Sequence, residues 1–298
     1  MQNSQVLSQK NPASNYLLTL YTGPSRLTQR SALDNAARIM CPGSTAQSFN
    51  WSKITREMVL QLRSTLLERQ APSTANRTLS AVKQVCREAW RMRILDADEL
   101  QRICDVKRVP GTRLKAGRCV DVLELQALLD YAHTQPKRRA VRDVALLHML
   151  FFGGMRRHEL AGLGIEHVRI ECDRVIVRVI GKGNRQREIP MPLSSTPALR
   201  AWLRIVEGDG ALFPNKWGGF MKPENVHYIL INLARRAKLP HTTPHDGRRT
   251  FISYLLDADA DVAAIQALAG HINVQTTLSY DRRPEQGKKK AVDKLPKI

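Results

Sequence analysis

Apolar side chains recur with helical spacing along most of this sequence, and the spacing changes to that of strands only between residues 167 and 191. Before residue 105 there is no strand pattern. Apolar positions instead repeat every three or four residues in four segments, which we predict to be helices. These segments are 25–40, 54–68, 72–90 and 97–103. The first hundred residues therefore predict a small helical bundle.

The segment from 167 to 191 is rich in Val and Ile, which favour strands. Strands are predicted at 167–171, 174–180 and 187–191, and the last two are joined by the turn Gly181-Lys182-Gly183-Asn184. Short connections between strands require an antiparallel sheet. Helices are predicted on either side of this sheet at 122–132, 139–152, 196–206, 223–237, 247–257, 262–269 and 274–280.

The predicted fold class is an N-terminal all-α helical bundle followed by an α+β, mostly helical domain with a small antiparallel three-stranded sheet. We expect residues 1–15 to be a disordered N-terminus and residues 16–105 to be the bundle. Residues 106–118 carry five basic side chains, a proline and two glycines, so they are predicted to be an interdomain linker. The second domain is expected to span 119–283 and to be followed by a tail at 284–298.

The chain has a formal net charge of +20, from 47 Lys and Arg against 27 Asp and Glu. Residues 1–112 carry 16 basic and 8 acidic side chains, so the excess is shared by both halves. Such a distribution favours a polyanionic partner that both domains touch, and nucleic acid is the most abundant one.

The five cysteines are odd in number, widely spaced and without a CxxC pair, which argues against a disulfide framework or a zinc site. The N-terminus lacks an apolar signal core. The longest apolar run, 145–152, is too short to span a bilayer. We therefore expect a cytoplasmic protein that does not contact membranes.

Four groups of residues carry candidate chemistry: Gly154-Met155-Arg156-Arg157-His158-Glu159-Leu160, then His245-Asp246-Gly247-Arg248, then Gly270-His271, and finally Tyr280. Neither a carboxylate cluster nor a metal-ligand spacing accompanies them. Two arginines could therefore supply the positive charge that holds an anionic phosphodiester. Taken singly, these residues would also suit ordinary roles as surface arginines, helix-capping histidines, a turn lysine and a half-buried tyrosine.

Their order, together with Lys182 in its hairpin, resembles the tyrosine recombinase (phage integrase) family, in its simple two-domain bacterial form. The resemblance covers the second domain, and the helical first domain resembles the family's core-binding, SAM-like domain. It implies that Arg156 and Arg248 bind the scissile phosphate. His245 would transfer the tyrosine proton, His271 would donate a hydrogen bond, and Lys182 would protonate the departing 5′ hydroxyl.

By the same resemblance, Tyr280 is the nucleophile that forms a 3′-phosphotyrosyl bond, and neither a cofactor nor a metal is required. Glu159, one helical turn from Arg156, is expected to hold that arginine rather than to act as a base. Predicted contacts to the DNA backbone are Lys107, Arg108, Arg113, Lys115, Arg118 and Arg249.

The implied partners are a double-stranded DNA recombination site and further copies of the chain, two on one site and four in a synapse that passes through a Holliday junction. Accessory DNA-bending factors and association with the nucleoid are also expected. The tail at 284–298 would pack on a neighbouring protomer.

One position departs from the family pattern. Gly247 stands where members commonly have leucine, and we expect this change to loosen the placement of Arg248. Two other functions remain open at this point. One is a type IB topoisomerase-like or telomere-resolving strand transferase, and the other is a DNA-binding protein without catalytic activity.

Overall fold

The computed structural model describes residues 11–20, 23–111, 117–181, 185–206 and 210–278. The chain forms two compact units, Met1–Lys115 and Ala116–Ile298. The predicted fold class is confirmed, because the first unit is helical and the second combines helices with one small sheet. None of the helices in the described part of the chain has the length and apolar character of a membrane span.

The described part of the first unit contains five α-helices and one 3₁₀ turn at Trp51–Lys53. The helices are α1 (Pro12–Leu18), α2 (Gly23–Met40), α3 (Arg56–Arg69), α4 (Pro72–Arg91) and α5 (Ala97–Cys104). Helix α4 lies at the centre and packs against the other four. Its buried side chains, among them Leu79, Val82 and Val85, follow the helical spacing that predicted it.

The first unit is longer at both ends than predicted. Residues 12–18 form α1 rather than a disordered end, because Asn11 caps the helix and Ala13 and Leu17 are buried in the core. At the other end, Val106 and Val109 are also buried in this core. The predicted linker therefore begins with residues that belong to the first unit.

Three side chains hold the residues that follow α5. Lys83 Nζ donates to the carbonyl oxygens of Cys104 and Val106, at 2.8 and 2.6 Å. Asn76 forms two hydrogen bonds with the backbone of Val109, one as donor at 2.9 Å and one as acceptor at 2.8 Å.

Arg63 completes this arrangement by donating to the carbonyl oxygens of Lys107 and Arg108, at 2.8 and 3.3 Å. The backbone of 104–109 is thereby fastened to α3 and α4. The side chains of Lys107 and Arg108 remain exposed.

The second unit contains eight described α-helices, three strands and two 3₁₀ turns. The helices are α6 (Val122–His133), α7 (Lys137–Phe151), α8 (Arg157–Ala161), α9 (Thr196–Leu203), α10 (Pro223–Arg236), α11 (Pro244–Asp257), α12 (Val262–Ala269) and α13 (Val274–Leu278). The strands are β1 (Val168–Glu171), β2 (Arg174–Ile180) and β3 (Gln186–Pro190), and the 3₁₀ turns are Ile165–His167 and Leu193–Ser195.

The strands form an antiparallel sheet in the order β1-β2-β3. Val177 lies opposite Val168 on one side and Ile189 on the other. Alternate residues of β2 are buried, so one face of the sheet packs on the core of the unit.

Helix α7 is the central element of that core and packs against α6, α9 and α11. It also carries a half-buried histidine, His148, whose Nδ1 lies 2.9 Å from Ser195 Oγ and whose ring packs on Phe152. Burial lowers the pKa of His148 to about 4, with a smaller contribution from His133. The imidazole is therefore neutral at physiological pH.

Candidate active site

Arg156 emerges from a tight turn between α7 and α8. Gly154 in this turn has φ +58°, and a Cβ on it would lie 2.3 Å from the Phe251 ring. This conformation favours glycine, and the close approach to Phe251 requires it. Arg156 is the residue that precedes α8, and its backbone N–H donates to Glu159 Oε2 at 2.8 Å.

The carboxylate of Glu159 lies inside the unit and is shared by two arginines. It accepts hydrogen bonds from Arg156 Nη1 at 2.8 Å and from Arg187 Nη1 and Nη2 at 3.0 and 2.8 Å. Burial alone would raise the pKa of Glu159. The hydrogen bonds and charge of Arg187, with those of Arg156, instead lower it to about 2. Glu159 is therefore ionised and suited to hold these arginines rather than to accept a proton.

The C-terminal end of α12 receives three arginine side chains on three consecutive carbonyl groups. Arg187 Nε donates to Leu268 O at 2.8 Å, and Arg156 Nη2 donates to Gly270 O at 3.0 Å. Between them, Arg248 Nη2 donates to Ala269 O. The last carbonyls of a helix lack partners within the helix and carry partial negative charge, so they attract cations.

Arg248 and His245 belong to α11. The helix begins at Pro244 because Thr243 caps it and Asp246 closes the capping box. Arg248 is 2% exposed, and its Nη1 donates to Gly154 O at 2.8 Å. His245, three residues earlier and so on the same side of the helix, is exposed.

These residues surround an open pocket of about 400 Å³. Its lining residues are Arg156, Arg157, His158, His227, Thr243, Pro244, His245 and Arg248. Three arginines and three histidines on one concave surface suit an anion such as a phosphate.

His271 follows Gly270, which ends α12 in the left-handed conformation with φ +63°. A Cβ at Gly270 would also lie 3.1 Å from the side chain of Arg187. The Nδ1 atom of His271 lies 2.8 Å from the Oγ1 of Thr277, which is buried in α13. This contact sets the orientation of the imidazole ring.

Within the described ranges, no three or more His, Cys, Asp and Glu side chains lie close enough together to hold a metal ion.

Residues 118–286 match the profile of the phage integrase family. This chain belongs to that family. A tyrosine recombinase XerC from Corynebacterium glutamicum is 33% identical over 219 residues, which cover 72% of this chain and 68% of that protein. The tyrosine recombinase XerC of Herpetosiphon aurantiacus is 28% identical over 267 residues, or 87% and 84% of the two chains.

Among solved structures, a lambda integrase (75–356) dimer bound to a COC' core site has a similar fold. Its TM-score is 0.68 at 13% identity, and the match covers 90% of this chain and 93% of that one. The predicted resemblance to tyrosine recombinases is thus confirmed at the level of the family.

The structure brings most of the predicted site residues of this phage integrase together. Arg156, His245 and Arg248 line one pocket, and Glu159 contacts Arg156. His271 follows the carbonyl that binds Arg156. Lys182 and Tyr280 lie outside the described residues, as do Arg113 and Lys115.

Two of the predicted DNA contacts are placed differently. The guanidinium of Arg118 donates to Glu124 and, at 2.7 Å, to Thr242 Oγ1. Arg249 is 5% exposed and packs against Gly117. Arg249 is buried within the second unit, whereas the side chain of Arg118 is partly exposed and pairs with the partly buried Glu124.

The loosening expected at Gly247 stays a prediction, and the structure shows only how this glycine packs. Gly247 is buried, and a Cβ there would lie 3.5 Å from Leu150, an ordinary contact distance. The absence of a side chain lets α11 pack closely on α7. Arg248 is held by two carbonyl groups.

The sequence analysis assigned no role to Arg187, His158 or His227. A signal for Arg187 was present. It lies two residues before the buried Ile189 in β3 and so shares the core-facing side of the strand, where a charged residue requires a partner. No comparable pattern distinguished the two histidines. Burial is the main cause that lowers the pKa of His158.

Proposed function

We propose that this chain is a site-specific recombinase that cleaves and rejoins DNA through a 3′-phosphotyrosyl intermediate. The observation that carries the proposal is the arrangement of Arg156 and Arg248. Both line the pocket that also contains His245, and both are held by adjacent carbonyls at the end of α12. Two preorganised guanidinium groups suit the extra negative charge that develops when a phosphodiester is attacked.

In the proposed reaction, the phosphate lies between Arg156 and Arg248. The phenol oxygen of Tyr280 forms a bond to phosphorus, and the bond from phosphorus to the 5′ oxygen breaks. His245 accepts the phenol proton, and Lys182 protonates the departing 5′ oxygen. The phosphotyrosyl bond conserves the energy of the phosphodiester, so a 5′ hydroxyl can reverse the step without ATP.

We further propose double-stranded DNA as the partner, with two copies of the chain on one site and four in a synapse that forms a Holliday junction. The net charge of +20 and the DNA-bound integrase dimer of similar fold support this. The first unit would serve as the core-binding domain. Deleting residues 284–298 should prevent synapsis while single-site binding remains. Synapsis by the truncated chain would contradict the role proposed for this tail.

The test begins with the DNA site, because the sequence does not reveal it. The Tyr280→Phe variant is used to select a bound sequence from a random duplex library. That sequence is then prepared as a nicked suicide substrate, which traps the covalent intermediate. Wild-type protein should give a covalent protein–DNA adduct, and Tyr280→Phe should give none.

Tyr16→Phe is the matched control, since Tyr16 belongs to the first unit, and it should form adduct as the wild type does. The absence of an adduct from wild-type protein on the selected site would indicate a DNA-binding protein without catalysis. Relaxation of supercoiled DNA that lacks the site would indicate the topoisomerase-like alternative.

A further inference from the structure

The chain that enters the second unit lies along α11. Arg118 N donates to Asp246 Oδ1 at 2.9 Å, and Val120 N donates to Thr250 Oγ1 at 2.9 Å. Tyr254 donates its hydroxyl to Val120 O at 2.8 Å. The three α11 residues are spaced by four, so they form one stripe of the helix. We call residues 117–120 the entry segment.

Asp246 is the first contact of this stripe and is 4% exposed. Its Oδ2 accepts from the backbone N–H and the hydroxyl of Thr243, at 2.8 and 2.7 Å. Burial would raise the pKa of Asp246, but the hydrogen bonds from Thr243 and Arg118 and the charge of Arg249 together lower it. The buried carboxylate is therefore ionised and fully used by contacts within the unit.

Gly117 makes the approach to Asp246 possible. It has φ +106°, and a Cβ on it would lie 2.7 Å from Asp246 Oδ1 and 3.3 Å from the Arg249 side chain. Both the conformation and the space therefore require glycine. The entry segment is built to fit this one position on α11.

The same turn of α11 carries the residues that face the pocket. Successive residues of an α-helix are rotated by about 100°, so Asp246 and Arg248 point to nearly opposite sides. Arg248 reaches the carbonyls of Gly154 and Ala269, while Asp246 reaches the entry segment. The first turn of α11 is thus held from both sides.

We propose that Asp246 is a positioning residue that fastens the entry segment to α11 and thereby sets the placement of His245 and Arg248 for strand cleavage. This rests on the proposed function. Asp246 does not line the pocket, and the match to the family says nothing of its role. In this arrangement Arg118, through its backbone N–H, and Arg249, through its charge, also have a role inside the unit.

Two pairs of variants test it. Gly117→Ala disturbs the fastening, and Gly218→Ala is its control. Gly218 has a comparable φ of +88° but nothing within 4 Å of the added Cβ. Thr250→Val removes one hydroxyl of the stripe without changing the shape of the side chain, and Thr250→Ser retains that hydroxyl.

Three quantities are measured for each folded variant: the dissociation constant for the selected site, the single-turnover cleavage rate at saturating DNA, and hydrogen exchange of the amides of 247–253 without DNA. Gly117→Ala and Thr250→Val should exchange about tenfold faster and cleave about tenfold more slowly, on the order expected for one or two lost hydrogen bonds, since the Thr250 hydroxyl both accepts from Val120 N and donates to Asp246 O. Affinity should change less than twofold. Gly218→Ala and Thr250→Ser should resemble the wild type.

Cleavage and exchange in Gly117→Ala equal to those in Gly218→Ala would overturn the proposal. So would a parallel loss of affinity and rate, which indicates a general structural defect. If wild-type protein forms no adduct at all, the proposed function fails on its own. Hydrogen exchange then tests by itself whether the entry segment holds α11. Faster exchange of amides 247–253 in Gly117→Ala than in Gly218→Ala would support this contact, and equal exchange would reject it.

Discussion

Arg187 and Glu159 form a bidentate ion pair in the interior of the second unit, with Nη1–Oε1 and Nη2–Oε2 distances of 3.0 and 2.8 Å. The side chain of Glu159 is fully buried, and that of Arg187 is 11% exposed. The pair joins β3 to α8, and through Arg187 Nε also to the end of α12. Three elements that shape the pocket therefore meet at one carboxylate.

Removing Arg187 should destabilise the protein strongly. In Arg187→Met the buried charge of Glu159 keeps only Arg156, and breaking a buried pair in this way costs about 3–5 kcal/mol. The free energy of unfolding in urea measures the effect. Arg169→Met is the control, since Arg169 pairs with Glu188 at the surface, where a pair contributes about 1 kcal/mol or less. Equal losses in the two variants would contradict the importance of burial.

The salt dependence of DNA binding should separate exposed from internal basic residues. Lys107 and Arg108 are exposed on a backbone that Arg63 fastens. Replacing both with Gln should reduce the slope of log K against log salt by about 0.9 for each phosphate that is no longer neutralised. Arg118→Gln should leave the slope unchanged, because Arg118 is bound to Glu124 and Thr242. Anisotropy titrations at several salt concentrations provide the slopes. A slope reduced by Arg118→Gln but not by the Lys107 and Arg108 replacements would show that Arg118 contacts the DNA and that the other two do not.

Mild acid should destabilise the second unit through His148. Its pKa is about 4 when folded and about 6.5 when unfolded, so the unfolded chain binds the extra proton. Stability is then complete above the unfolded pKa and is lost as pH falls from about 6.5 to about 4. Between about pH 7 and pH 5 the loss should be about 2 kcal/mol.

Urea unfolding at each pH gives this dependence, and His148→Gln should remove most of it. The carboxylate of Glu159 loses its contribution only at lower pH, from about 4.5 down to about 2, because its folded pKa is depressed. A decline between pH 7 and 5 that persists in His148→Gln would place its origin elsewhere.

Gly247 should tolerate one added carbon but not four. The nearest atoms to a new Cβ lie 3.5 Å away, so Gly247→Ala should raise stability by about 1 kcal/mol through helix propensity. Gly247→Leu should lower it by about 1–3 kcal/mol, because the longer side chain must displace Leu150. Thermal melts of the two variants should therefore move in opposite directions. A stabilising leucine would show unfilled space between α7 and α11.

The sequence predicted the long elements well, since helical and strand spacing come from the need to bury one face of each. It missed α1 and α8, which have 7 and 5 residues and are too short to display a period. The residues of the pocket were predicted from their order along the chain. Their partners were not, because Gly154, Ala269 and Gly270 act through backbone carbonyls that every residue possesses.

Charge was the least reliable guide to individual contacts. Arg118 and Arg249 were assigned to DNA because the chain is strongly basic. A guanidinium near a buried carboxylate experiences the same attraction as one near a phosphate, and the sequence alone does not distinguish these partners. Arg187 is the opposite case. Its position on the core-facing side of β3 predicts an internal partner, and the structure provides Glu159.

The three carbonyl groups at the end of α12 also affect the electrostatic potential of the pocket in the absence of DNA. A carboxylate partner fixes an arginine but cancels its charge, whereas a peptide carbonyl is a neutral dipole and fixes the side chain without cancelling it. Arg248 donates to two such carbonyls and Arg156 to one, and a single carboxylate, that of Glu159, serves both Arg156 and Arg187. The protein can thus hold its arginines rigid while the electrostatic potential in the pocket stays positive for an incoming anion.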